Sequence, residues 1–465
     1  MAGRETRQVT MDLGSFKVAF QLRQDADILT MAPSRPLADP GAAVRAALAS
    51  PIGTPPLAHI ARGAIARDAL AQACVVISDN TRPVPYRSES GILWPVVEVL
   101  LQAGFSPERV TVLVATGTHR PVTEAELGTM LDERVLAAGV SVVNHDCRDR
   151  GGLRYLGTTS RGTRLRVSRI YLEAQLKVVT GLVESHFMAG ASGGRKAIVP
   201  GLVGEESTRI FHGAQMLASP LARDLVLDGN PCHEEALEGA RMAGADFTVN
   251  VTLDREFRLT GVFAGHLEHA HARAVEALTG YVGIPVAVPY DIVVIHGGRV
   301  GINHYQAAKA AVVGASALRD RGRLIIGAHH TDIDPVGSLQ YRTVLHLLKL
   351  IGADSFDRLI LSPDWSFVHD QWEPQMWAKV LRRIPPENLY YCATGLSRSD
   401  YAILPGIGGR SLLAGCADIT NPAAFLAAMV EAALDDAVRA WTAEGNAHPR
   451  VAFLADGPYG IPLVG

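Results

Sequence analysis

Short β-branched runs, each ending in glycine or a polar residue, constrain this chain more than any other feature. They read ACVVISDN, VTVLVATGTH, LKVVTGLVES, DIVVIHGG, RLIIGAHH and NLYYCATG. Their apolar residues are continuous rather than alternating, so both faces need cover, as in strands of a parallel sheet. Alanine- and leucine-rich stretches at helical spacing, such as GILWPVVEVLLQAGF and RTVLHLLKLIGA, lie between several of them and supply the crossovers that parallel pairing requires. The reading is an α/β fold: two α/β domains with mainly parallel sheets and an active-site cleft between them. Two prolines in YVGIPVAVPYD interrupt the pattern just before a new strand. An N-terminal domain is therefore expected over 1–283 and a C-terminal one over 284–440, with 441–465 returning to the first.

In open α/β sheets, ligands bind beyond the carboxyl ends of strands. Polar residues cluster at such ends here: Asp79 and Arg82 after ACVVIS, His119 after VTVLVATGT, and His186 after LKVVTGLVES. Together they point to one shared site. A histidine titrates near pH ~6.5 and suits proton transfer, although His119 taken singly reads first as a hydrogen-bonded structural residue. Arg82 sits in a turn between Asp79 and Pro83, where its fork can grip a carboxylate or phosphate, or simply face solvent.

ESHFMAGASGGRKAIVPG places a glycine-rich bend ahead of Arg195 and Lys196. Such bends cradle phosphate or merely turn the chain. A nucleotide-hydrolase P-loop is excluded, because Arg195 interrupts the pattern and Ala197 follows the lysine. Lys196 is either a surface lysine or an amine made available for covalent attachment by neighbouring cations and apolar groups. In NHYQAAKA a helix would set Tyr305 and Lys309 four apart and Gln306 and Lys309 three apart, offering donors to a small polar acid or a solvated face. Trp372 and Trp377 in HDQWEPQMW read as core or as ligand walls. Several histidines are available, but no HxxxH or HExxH spacing defines a metal site.

The totals narrow the partners. A formal charge of -3 gives no footprint for nucleic acid or a membrane surface. The start, MAGRETRQVTMDLGSF, lacks a signal-peptide core, and no apolar run reaches the ~18 residues of a spanning helix. The cysteines (Cys74, Cys147, Cys232, Cys392 and Cys416) form no CxxC pair and suggest neither a disulfide framework nor a thiolate zinc site. A cytoplasmic enzyme for a small molecule is expected.

Assembled, these segments resemble the nickel-pincer-nucleotide lactate racemase family. The resemblance is carried by SDNTRPVP, ATGTHRP, ESHFMAGASGGRKAIVPG, the later His212, YQAAK and DQW, in the family's order over most of the chain. It implies that Lys196 is joined through a thioamide to the pincer nucleotide (pyridinium-3-thioamide-5-thiocarboxylic acid mononucleotide). His212 would be the protein's ligand to nickel, and His119 and His186 the catalytic pair. Arg82, Gln306 and Lys309 would hold the substrate carboxylate and nearby polar groups, with Tyr305 beside them. Trp372 matches a further pocket residue, and Asp79 one expected on the cofactor side.

The implied reaction is racemisation or epimerisation at C2 of a 2-hydroxy acid. That α-hydrogen is a poor acid, because the adjacent carboxylate is already negative. Moving it as hydride while a histidine takes the hydroxyl proton avoids a doubly charged carbanion. Partners would be the hydroxy acid and the proteins that make the cofactor, and self-association into a homo-oligomer is open. One departure lies after HGG, where RVGINH lacks the family's Pro and Asp. It leads into Tyr305 and Gln306, so lactate itself is not assumed as the substrate, and Arg299 or His304 are candidate readers of an extra polar group. The competing readings are a nicotinamide- or phosphate-binding enzyme of another class, and a non-catalytic nucleotide-binding protein. Neither GxGxxG nor Walker spacing supports the former, and the latter has no use for both His119 and His186.

Overall fold

The computed structural model describes residues 5–413, 420–446 and 448–465. It divides into two units, one spanning Pro33–Gly280 and the other combining the chain up to Ala32 with Tyr281–Gly465.

In the unit Pro33–Gly280, six strands lie in the order Leu259–Gly265, Phe247–Leu253, Leu176–Leu182, Ala73–Ser78, Val110–Ala115, Ser141–Asn144. Only the pairing of the first two is antiparallel. The register sets Val75 between Val112 and Val178, so β-branched side chains stack across three strands. All of these are fully buried in one core with Leu93, Val96, Val97 and Leu100 from the helix Leu93–Gln102. Burying each such side chain contributes about 1.5–3 kcal/mol. From Ala73–Ser78 the chain moves outward to Val110–Ala115 and Ser141–Asn144, then returns to the other side of that strand with Leu176–Leu182. This reversal opens a crevice at the carboxyl ends of those two central strands.

The other unit holds a second six-stranded sheet, in the order Ile407–Gly408, Leu389–Thr394, Leu318–His329, Tyr290–His296, Val451–Leu454, Asp27–Leu29. Every pairing in it is parallel. All residues of Tyr290–His296 are buried, as the apolar run Ile292–Ile295 at its centre requires. An antiparallel hairpin, Thr6–Asp12 with Lys17–Arg23, lays Met11, Val18, Phe20 and Leu22 into a core shared with Leu426, Met429, Val430 and Leu434 of the helix Pro422–Ala443.

Two domain expectations are corrected here. A continuous first domain over 1–283 fails because Asp27–Leu29 pairs with Val451–Leu454 and the hairpin packs on Pro422–Ala443. The segment 441–465 does not return to the first domain either, since Val451–Leu454 forms its ladder against Tyr290–His296. Among the described residues no helix is long and apolar enough to cross a membrane. Cys74, Cys147, Cys232 and Cys392 are buried free thiols, and Cys416 lies outside the described residues.

Candidate active site

The crevice in the unit Pro33–Gly280 is a cavity of ≈ 190 Å³, and Asp79, Arg82, His119, His186, Lys196 and His212 all line it. Each of the first four follows a strand of the sheet. Asp79 and Arg82 succeed Ala73–Ser78, His119 succeeds Val110–Ala115, and His186 succeeds Leu176–Leu182.

Asp79 is nearly fully buried, and its carboxylate accepts from Nδ1 of His119 at 2.6 Å and from the Thr81 hydroxyl at 2.6 Å. Burial pushes this carboxyl up, but the hydrogen bonds from His119 and Thr81 outweigh it and hold it below the usual range. A carboxylate at Nδ1 fixes the His119 proton there and leaves Nε2 with a lone pair. Asp79, expected on the cofactor side, lines the cavity and gives a carboxylate oxygen to the histidine. Arg82 is paired at 3.5 Å with Glu184, and both side chains are roughly two-fifths exposed.

Lys196 and His186 meet directly, with 2.7 Å between Nζ and Nε2. The bend between them is built by glycines for steric reasons. Gly193 has φ +74, and a Cβ there would lie 2.7 Å from Val183 and 3.0 Å from the Asn250 side chain. The Gly194 amide donates to Asn250 Oδ1 at 2.8 Å, so the bend is tied to the sheet by the strand Phe247–Leu253. His212 caps the carboxyl end of the helix Glu205–Phe211 and stands edge-on to Phe211, whose ring also lies 5.7 Å from Nζ of Lys196.

Arg195, which the sequence marked only as an interruption of a phosphate loop, is 1% exposed. Its guanidinium donates to the carbonyl of Ala189 at 2.8 Å and meets His271 Nε2 at 2.8 Å. Burial lowers its pKa to about 9. It fastens the loop between His186 and Lys196 from behind, a role that only its burial reveals.

Tyr305, Gln306, Lys309 and Trp372 belong to the other unit. The helix His304–Ser316 starts at Asn303, whose side chain accepts from the Gln306 amide. Lys309 donates to Gln306 Oε1 at 2.8 Å, the helical spacing that sequence reading anticipated. Trp372, first residue of the helix Trp372–Arg383, donates from Nε1 to the Tyr305 hydroxyl at 2.8 Å. Trp377 is fully buried core and donates to Tyr341. Glu373 was missed: it is buried beside this group, and burial raises its pKa to about 8 against the pull of the Lys309 ammonium.

His304 is corrected as a reader of substrate. It is 1% exposed, its Nδ1 is 2.7 Å from the Tyr341 hydroxyl, and its ring stacks on Trp377 at 4.6 Å. Stacking and burial consume both faces of the side chain. Arg299 remains on the surface, with its amide bonded to the Tyr459 hydroxyl.

Among the described residues, no three His, Cys, Asp or Glu side chains gather to hold a metal ion by themselves. A metal at His212 would therefore take its other ligands from a bound group. The cavity suits a group that brings its own donors and is anchored by an amine, because Lys196 and His212 line the same walls.

Residues 12–224 match the family model for the lactate racemase N-terminal domain. The lactate racemase of Thermoanaerobacterium thermosaccharolyticum is 32% identical over 340 residues, which are 73% of this chain and 76% of that protein. The lactate racemase of Lactiplantibacillus plantarum is 30% identical over 73% of this chain and 77% of its own length. The solved lactate racemase apoprotein from T. thermosaccharolyticum superposes with a TM-score of 0.80 at 27% identity, covering 98% of this chain and 100% of that one.

Proposed function

The chain belongs to the lactate racemase family, and from that premise we propose that it inverts C2 of a 2-hydroxy acid by hydride transfer with a lysine-tethered nickel pincer nucleotide. It is an isomerase of the racemase type. The observation that carries the finer reading is the convergence of Lys196, His119, His186 and His212 on one cavity.

Lys196 is assigned as the tether and His212 as the nickel ligand. When bound, the nucleotide supplies a pyridinium carbon that accepts hydride. The protein's own part is proton transfer and orientation. His119, its Nδ1–H held by Asp79, offers the Nε2 lone pair to the substrate hydroxyl and stores that proton as imidazolium. Asp79 stabilises the charge that develops, so it acts through the ring. His186 serves the opposite hydroxyl orientation, which is why two histidines are required. Inversion would follow when the planar keto acid presents its other face before the second histidine returns the proton.

Arg82, Tyr305, Gln306, Lys309 and Trp372 are assigned to substrate binding. Charge-assisted bonds from Arg82 and Lys309 to a carboxylate contribute about 1.5–3 kcal/mol each. Arg82 must exchange Glu184 for the substrate, and an ion pair that exposed is worth only about 0–1 kcal/mol. The assignment is tested by giving cofactor-loaded enzyme one enantiomer of lactate or a larger 2-hydroxy acid in deuterated water. The expected product is the opposite enantiomer with its α-hydrogen retained. Wholesale deuterium at C2 would establish carbanion chemistry and overturn the hydride route.

A further inference from the structure

The ring of His186 is engaged at both nitrogens. Its Nδ1 lies 3.3 Å from the amide nitrogen of Met188 and 3.2 Å from that of Ala189, with both N–H groups directed at it. Its Nε2 lies 2.7 Å from Nζ of Lys196. A backbone amide can only donate, so Nδ1 must present a lone pair. A neutral imidazole with a bare Nδ1 carries its proton on Nε2. That proton points at Nζ, and an ammonium has no lone pair to receive it. The bonds close together only when Lys196 is an amine accepting from Nε2–H. The converse arrangement, an ammonium donating to a bare Nε2, would set the ring proton against two amide hydrogens.

The Phe211 ring, 5.7 Å from Nζ, favours a cation only weakly and does not offset this hydrogen-bond constraint. We infer that His186 holds Lys196 as a free-base amine whose single lone pair rests on Nε2–H and turns to an acyl-type carbon in the cavity once that hydrogen bond is released.

The inference rests on the reading of Lys196 as the cofactor tether and gives that attachment its chemistry. Joining to a thioacid carbon forms the N–C bond and keeps the sulfur. The oxygen leaves as water with the thioacid proton and one amine proton, and nothing is oxidised or reduced. Nε2–H, at hydrogen-bond distance from the nitrogen, is placed to hand its proton to the departing oxygen and take the amine's in exchange.

The test needs no cofactor. The full-length chain, prepared without cofactor, is exposed to trace acetic anhydride at neutral pH, and acetylation of each lysine is followed by peptide mass mapping. Each acetylation forms an N–C bond, expels acetate and releases the nitrogen's proton to solvent. Lys17, with a side chain 72% exposed, is the internal reference. A typical lysine is almost entirely protonated at that pH, so Lys196 is expected to react at least about tenfold faster than Lys17. In His186→Gln and His186→Ala that advantage is expected to vanish while the Lys17 rate stays unchanged. A Lys196 rate at or below that of Lys17 in the unaltered chain overturns the inference, as does an undiminished rate in both variants. Fast labelling without a nickel adduct after exposure to the cofactor would sustain this inference and remove the tether reading, whereas an adduct on a slowly labelled Lys196 would do the reverse.

Discussion

The side chains around the cavity of Pro33–Gly280 and those around Tyr305 are ordered in different ways. In the first set Asp79, His119 and His186 ride on loops at strand ends and are fixed by directional bonds: Asp79 on His119, amides on His186, and Asn250 under the glycine bend that leads to Lys196. The second set rides on helix starts, backed by a packed network in which His304, Tyr341, Trp377, Tyr391 and His330 stack and hydrogen-bond to one another. Directional bonds leave lone pairs and protons in chosen places, which proton transfer needs. Rigid packing leaves donors in chosen places, which recognition needs. Variants in the two regions should therefore fail differently.

The largest effect is expected at His119. Its replacement by Ala should lower turnover by about 10²–10⁴-fold with the cofactor still attached by mass. Asp79→Asn should lower turnover without loosening substrate, because it disturbs the tautomer and not the binding groups. A rise in KM with turnover preserved would place His119 among the recognition groups and erase the contrast.

Next comes acid sensitivity in the packed network behind the helix His304–Ser316. Burial holds His330 neutral and lowers its pKa to about 4. The unfolded chain gains that proton as pH falls through ~6.5 while the folded chain does not, so stability is lost between about pH 6.5 and 4. His330's share of the loss should approach about 2–3 kcal/mol by pH 4.5, so urea midpoints of His330→Asn should fall by that much less, while His233, His271 and His304, also held neutral by burial, keep their part of the slope. An unchanged pH slope in that variant would show that His330 is not held neutral.

Lys309→Ala should raise KM about 10- to 100-fold, the loss of one charge-assisted bond, with a smaller change in kcat. Turnover collapsing at constant KM would instead make Lys309 part of the chemistry. Smallest is Tyr305→Phe, which removes the acceptor of the Trp372 N–H and should cost about 1 kcal/mol in thermal unfolding or substrate affinity.

Much of this was legible in the chain. Strands such as ACVVIS are apolar up to their last residue, so their burial in parallel sheet follows from composition, and His119 and His186 follow from strand ends. The fate of the N-terminal segment was not legible. Asp27–Leu29 has three residues, too few to carry a pattern, and its partner Val451–Leu454 is more than 400 residues away. Arg195 and Glu373 escaped notice because charged residues read as surface until burial is seen. The RVGINH loop misled for the same reason: His304 looked polar and available, yet it is a stacked core residue. The Asp79–His119 bond joins residues forty apart and exists only through the pairing of Ala73–Ser78 with Val110–Ala115.

The most direct measurement is intact and peptide mass combined with metal analysis of the chain purified from cells that make the nucleotide. A nickel-containing adduct mapping to Lys196, with nickel lost in His212→Ala while the adduct mass on Lys196 remains, is the expected result. An adduct on another lysine, or nickel retained without His212, would contradict the assignment of this cavity.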